Sequence, residues 1–183
     1  MKVSKGLIFI GFALAATFSG ISLINAYAQG NEITASQIEL IRTNCASTKN
    51  TLNQLHVSDA LLRVNMGQRY ESTSAKLMSR FNDRVSSNSF SNASLTAVTT
   101  AYEQSLDTFR SDYKNYEEQL ASTIGIDCSK QPTVFYSAVI TSRDKRNQVH
   151  SDVVKLNQYL DQYQSVVEQF EKNYQTAADG VKQ

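Results

Sequence analysis

The last third of the chain carries apolar side chains at the spacing of a long, packed helix. From Phe135, steps of four and three residues alternate through 132–178, and no glycine interrupts the run. Ten of the twelve positions are apolar or aromatic, and Ser142 and Arg146 are the exceptions. This heptad repeat predicts a helix over about 132–178 that packs lengthwise against partner helices. The twelve positions are Phe135, Val139, Ser142, Arg146, Val149, Val153, Leu156, Leu160, Tyr163, Val167, Phe170 and Tyr174.

The same spacing begins earlier, after a helix-start motif at Thr34 and Gln37, and predicts a first helix over about 34–87. Its phase slips by one residue near Gly67, after which the expected interior positions include Leu77. Two interpretations stay open: a continuous helix with a stutter, or a break at Gly67. Before the slip the interior positions are Ile38, Ile41, Cys45, Thr48, Leu52, Leu55, Asp59, Leu62 and Met66, and after it Tyr70, Thr73, Leu77, Phe81 and Val85.

A Ser/Asn cluster at 86–94 separates this pattern from a second helix, expected over about 92–124. Gly125 is suited to the end of that helix, and Pro132 to the start of the next. Period-two alternation is absent, so no strand is predicted. Short connections make neighbouring helices antiparallel. The expected fold is therefore all-α, an elongated antiparallel three-helix (up-down-up) coiled-coil-like bundle over 34–178, with a flexible lead at 29–33 and a frayed tail at 179–183.

The first 28 residues have a different composition. Lys2 and Lys5 precede an uncharged apolar run at 7–24, and Ala26 and Ala28 form an A-x-A pattern. This arrangement predicts a secretory signal peptide over 1–28. The alternative is an uncleaved membrane anchor formed by residues 7–24, a run near the lower length limit for a spanning helix.

Charge and cysteine content then limit the classes of partner expected and predict the state of the cysteines. The whole chain has 18 basic and 17 acidic residues, and loss of Lys2 and Lys5 would leave a net charge of −1. That balance gives no electrostatic case for a nucleic-acid partner, and membrane association is expected only if the N-terminal segment is uncleaved. In an exported chain the two cysteines, Cys45 and Cys128, are expected to form a disulfide.

Two pairs of residues are the candidate sites. A register in which the third helix at position n lies beside the first at n minus 87 brings Arg146 level with Asp59. We predict that Asp59 and Arg146 form a largely buried ion pair, with Arg63 and Arg143 as alternative partners of Asp59. Tyr136 and Tyr159 lie off the main repeat and are candidates for a binding face, since tyrosine is enriched at interfaces.

No catalytic motif, phosphate-binding loop or metal-ligand spacing is present in the sequence, so no catalytic, cofactor or metal residues are predicted. The pattern resembles no characterised family. A long bundle offers extended surface and no cleft, and the expected function is therefore binding, without catalysis, in the cell envelope or outside the cell. The expected partner is a protein rather than a small molecule. The alternative is a membrane-anchored scaffolding protein of the envelope that self-associates through a helix face.

Overall fold

The computed structural model describes residues 33–180, and every regular element in this range is helical. No strand occurs among these residues, so the all-α prediction is confirmed for them. The predicted signal peptide, the alternative anchor at 7–24 and most of the lead at 29–33 lie outside the described range, as do residues 181–183. The elements are α1 (Ala35–Thr43), α2 (Cys45–Ser72), a π-helix (Thr73–Met78), α3 (Ser79–Ser87), α4 (Ala93–Gly125) and α5 (Pro132–Gly180).

The helix ends follow local sequence chemistry. Thr34 caps α1 reciprocally: its hydroxyl accepts from the Gln37 amide at 3.3 Å, and its own amide donates to the Gln37 side chain at 2.7 Å. Pro132 is the first residue of α5, where the missing N–H costs nothing. The interruption at Asn44, between α1 and α2, is not indicated by the hydrophobic pattern.

Tyr70, the first interior position after the predicted slip, is buried in α2, and a second change of helical phase occurs at the π-helix, six residues beyond Gly67. Gly67 itself lies inside the continuous helix α2. Tyr70, Ser74 and Met78 are buried at steps of four residues, because the i to i+5 hydrogen bonding of a π-helix widens the turn. The expectation that Leu77 faces the interior is wrong, since that side chain is 63% exposed.

Helix α4 is shared by most of the other elements. It contacts α2, the π-helix, α3 and α5, whereas α1 contacts α5 and α2. By contrast, no Cα atom of α2 lies within 8 Å of a Cα atom of α5. The buried residues of α4 are Leu95, Thr99, Tyr102, Ser105, Leu106, Phe109, Tyr113, Tyr116, Leu120 and Thr123.

A disulfide joins Cys45, at the start of α2, to Cys128, in the connector between α4 and α5. Their Cα atoms lie 5.6 Å apart, and 83 positions separate them in the sequence. Cys128 is fully buried. The predicted disulfide is therefore confirmed, and it ties the beginning of the first helical region to the connector that enters α5.

Candidate functional site

A groove of about 430 Å³ lies where α2, α4 and α5 meet. The expectation that the protein offers no cleft is wrong, because α2 and α5 both pack on α4 without approaching each other. The distance between two helices depends on which side chains lie between them, and the spacing of the heptad repeat does not predict that distance. The groove is lined by Asp59, Leu62, Arg63, Met66, Tyr70, Phe109, Tyr113, Tyr116, Arg146, Asn147, Val149, His150 and Val153.

The structure places Asp59 and Arg146 together at this groove. The Nε of Arg146 donates to Oδ2 of Asp59 at 2.8 Å, and Nη2 donates to Oδ1 at 3.1 Å. The Tyr116 hydroxyl donates to the same Oδ2 at 2.7 Å. The pair is less buried than predicted: the side chain of Asp59 is 10% exposed but that of Arg146 is 50% exposed. The guanidinium bridges the space between α2 and α5 from the solvent side, so only the carboxylate is enclosed.

The titration properties of the three groups follow from this geometry. Burial alone would raise the pKa of Asp59, but the hydrogen bonds from Arg146 and Tyr116 and the charge of Arg146 outweigh it and hold that pKa below its ordinary value. The hydrogen bond to Asp59 raises the pKa of Arg146. Burial and the hydrogen bond to Asp59 raise the pKa of Tyr116. At neutral pH the site therefore holds a carboxylate, a guanidinium and a neutral phenol.

Two further tyrosines of the groove have hydroxyls that are buried and lack a hydrogen-bond partner. Tyr70 and Tyr113 are each 4% exposed, and neither hydroxyl oxygen meets a donor or acceptor among the described residues. Burial raises the pKa of Tyr113 to about 12. The guanidinium carbon of Arg63 lies 4.9 Å from the centre of the Tyr113 ring, within the range of a cation–π contact. An unpaired buried hydroxyl costs about 1–3 kcal/mol, so a ligand group that bonded to one would gain affinity.

Helix α2 carries exposed apolar side chains both at the groove and on another of its faces. Leu62, predicted to face the interior, is 58% exposed. Val57, Leu61 and Val64 are 63%, 62% and 51% exposed and follow one another at steps of four and three residues. Leu62 faces the groove, whereas Val57, Leu61 and Val64 do not line it. The sequence does contain a sign of this surface, since Leu61, Leu62 and Val64 fall on adjacent faces of one helix, more than a single packed stripe requires.

The structure does not bring Tyr136 and Tyr159 together. They lie 23 residues apart on the single helix α5, about 35 Å at 1.5 Å per residue. Tyr159 packs against the buried cluster that contains Tyr70 and Leu156, so its ring serves the interior. Neither residue lines the groove.

The two histidines lie at separate positions in the described part of the chain. His56 Nε2 lies 3.9 Å from a carboxylate oxygen of Glu117, and His150 lines the groove. Residues 33–180 contain no cluster of three His, Cys, Asp or Glu side chains arranged to hold a metal ion.

In comparisons with known proteins, the chain matches no family model, no curated protein and no solved structure.

Proposed function

We propose that this is a non-enzymatic, exported helical-bundle protein that acts by binding in the cell envelope or the extracellular space. The observation that carries the proposal is the groove between α2, α4 and α5. It joins an apolar wall, a fixed ion pair and two partnerless buried hydroxyls, the composition expected of a recognition site.

The proposed architecture is an elongated antiparallel three-helix (up-down-up) coiled-coil-like bundle. Polar contacts between α2 and α4 support the antiparallel order: Lys49 donates to the Ile126 carbonyl, and further along α2 the Tyr70 carbonyl accepts from Tyr102. Sequence number rises along one helix as it falls along the other. From α2 or the π-helix to α5 the numbers rise together, from Asp59 and Arg146 to Met78 and Tyr163.

Export is proposed from the leader-like residues 1–28 and is compatible with the disulfide, which persists in oxidising compartments. Within residues 33–180, no helix is long and apolar enough to cross a membrane. Mass measurement of the protein released by its producing cells tests this proposal. A mature chain that begins at Gln29 is expected, and an intact Met1 would favour the anchor.

The proposed partner is a protein. The groove's rim on α2 includes the exposed Leu62, and a separate exposed apolar stripe (Val57, Leu61 and Val64) lies on another face of the same helix, so a partner that covered both would be larger than a small ligand. Arg63 and Arg146 at the edge suit a partner whose apolar contact is bordered by acidic groups.

Site-specific photocrosslinking on intact producing cells tests this proposal. A photoreactive residue at Leu62 is expected to capture a discrete second protein, and the same residue at Gln104, exposed on α4, serves as the control. Arg63→Glu should abolish the Leu62 adduct without changing helix content. A Leu62 adduct that matches the Gln104 pattern, or that survives Arg63→Glu, would contradict the proposal.

The second candidate is a scaffolding envelope protein, held at the membrane by residues 7–24, that self-associates. The exposed Val57, Leu61 and Val64 favour it, since a single helix stripe of this kind can pair with a second copy. Capture of the chain itself from Leu62, together with an intact N-terminus, would support the scaffold over the binding protein.

A further inference from the structure

A row of unpaired cations runs along the π-helix and α3. Lys76, Arg80 and Arg84 follow one another at four-residue steps, and all three are exposed. None forms an ion pair with a described carboxylate, whereas Arg42, Arg110 and Arg143 elsewhere each do. Asp83 is the single acidic residue in 72–87. The three cations span about 12 Å along the helix axis.

A second groove, of about 400 Å³, lies directly beside this row. Its apolar lining comes from Leu77 and Phe81 on the first helical region and from Tyr163 and Val167 on α5. It shares no lining residue with the groove around Asp59 and Arg146. Leu77, at 63% exposure, leaves its side chain open to a ligand at the edge.

The π-helix creates this arrangement, and contacts from two other helices support it. The Tyr102 hydroxyl of α4 donates to the Tyr70 carbonyl at 3.1 Å, just before the π-helix. The Tyr163 hydroxyl of α5 donates at 3.2 Å to the carbonyl of Met78, the last π residue, and at 2.8 Å to the Asn82 side chain. Short π-helices occur often at functional sites. Here the widened turn sends Ser74 and Met78 inward and leaves Leu77 outside, between the cations and the groove.

We propose that this second groove binds an anionic amphiphile, with its hydrocarbon chain against Phe81, Tyr163 and Val167 and its acidic head group beside the cations. A free inorganic anion would leave the apolar lining uncovered. A flat membrane surface would not enter a concave groove. The proposal goes beyond the protein partner proposed for the first groove, because it concerns a separate surface.

Titration calorimetry with dodecyl phosphate, kept below its micellar concentration, tests the site in the purified full protein. Saturable binding of one molecule is expected, at least about tenfold tighter than inorganic phosphate or the uncharged dodecyl maltoside, since both the charge and the chain contribute. Far-ultraviolet circular dichroism in the same samples shows that the helices stay intact.

Variants locate the site. Arg80→Gln and Leu77→Ser should each weaken dodecyl phosphate binding at least about fivefold, through loss of a charge-assisted hydrogen bond and of apolar contact respectively. Arg143→Gln is the matched control, an exposed arginine about 30 Å from Tyr163 along α5, and should bind like the unmodified protein. Equal affinity for inorganic phosphate, unchanged binding in Arg80→Gln, or binding to phosphatidylglycerol vesicles without binding to the monomer would each overturn the proposal. None of these results depends on whether a protein occupies the first groove.

Discussion

Helix α5 meets α4 and α2 in different ways. Against α4 it packs closely: the hydroxyls of Thr123 and Ser142 lie 2.9 Å apart, and Thr123 also donates to the Ala138 carbonyl at 3.2 Å. The backbones of α5 and α2 stay further apart, and the long side chain of Arg146 on α5 reaches across to Asp59 on α2. Small residues let two helices approach, whereas large or charged ones hold them apart. The same heptad pattern is therefore compatible with a closed interface and with an open groove.

The disulfide is the largest single constraint on the open side of the molecule, between α2 and α5, because it ties the start of α2 to the connector before α5. Replacing Cys45 and Cys128 by serine should lower the free energy of unfolding by about 4 kcal/mol, from the loop entropy released in the unfolded chain. Thermal unfolding followed by circular dichroism measures the change. Helix content at room temperature should be unaffected. Two reactive thiols in the unmodified native protein would contradict the bond itself.

Paired truncations compare the two sides directly. Leu156 is fully buried and packs with Tyr102 and Phe109 of α4, so Leu156→Ala should cost about 3 kcal/mol. Leu62, 58% exposed at the groove, is the matched leucine, and Leu62→Ala should change stability by less than about 0.5 kcal/mol. Urea unfolding of both variants gives the values. Equal costs would mean that the groove is closed in solution.

The ion pair should respond unequally to loss of its two members. Arg146→Ala leaves the enclosed Asp59 carboxylate with Tyr116 as its hydrogen-bond donor and should cost about 2 kcal/mol. Asp59→Ala leaves a half-exposed guanidinium that water can solvate, and its cost, about 1 kcal/mol, comes from the buried Tyr116 hydroxyl that loses its acceptor. Equilibrium unfolding at neutral pH measures both. The reverse order would show that the arginine is the more enclosed partner.

Two aspartates, Asp59 on α2 and Asp152 on α5, should give opposite pH dependences. Because the pKa of Asp59 is lowered in the folded state, its contribution to stability is present above the unfolded pKa and is lost as pH falls through the folded value. Burial and the neighbouring Asp112 raise the pKa of Asp152, so the folded state binds a proton more readily than the unfolded chain does. Stability from Asp152 is therefore present below the unfolded pKa and is lost as pH rises through the folded pKa.

Asp152→Asn should consequently stabilise the protein at pH 7, by about 1 kcal/mol, and the gain should vanish in acid. Asp59→Asn is the control with the opposite sign at neutral pH. Urea unfolding of both variants between pH 3 and pH 7 gives the comparison. A loss of stability in Asp152→Asn at pH 7 would show that Asp152 is held by a partner that needs its charge.

A small effect is also expected at Gly67, inside α2. A Cβ built there meets no atom within 4 Å, so Gly67→Ala should raise the free energy of unfolding by up to about 1 kcal/mol through helix propensity. Thermal unfolding detects the shift. A decrease would indicate that α2 is broken at this residue in solution.

The contacts around the disulfide and the ion pair could be predicted because they depend on local spacing and helix length. The offset of 87 residues that relates Asp59 to Arg146, and the passage of Cys128 beside Cys45, follow from helix lengths and connector lengths, quantities that the sequence contains. The exposure of Arg146 could not be predicted in the same way. It depends on the distance between α2 and α5, which is decided by the side chains that both helices place on α4.

The sequence by itself determined the all-α class and the helix ends at Thr34 and Pro132, because capping, proline geometry and heptad spacing act over a few residues. It also determined the disulfide pairing, because the chain has two cysteines. Only the tertiary structure decided the second change of helical phase, at the π-helix over Thr73–Met78. There, hydroxyls from α4 and α5 donate to the carbonyls of Tyr70 and Met78. Those donors lie about 30 to 85 residues away in sequence, and both grooves result from contacts at that distance.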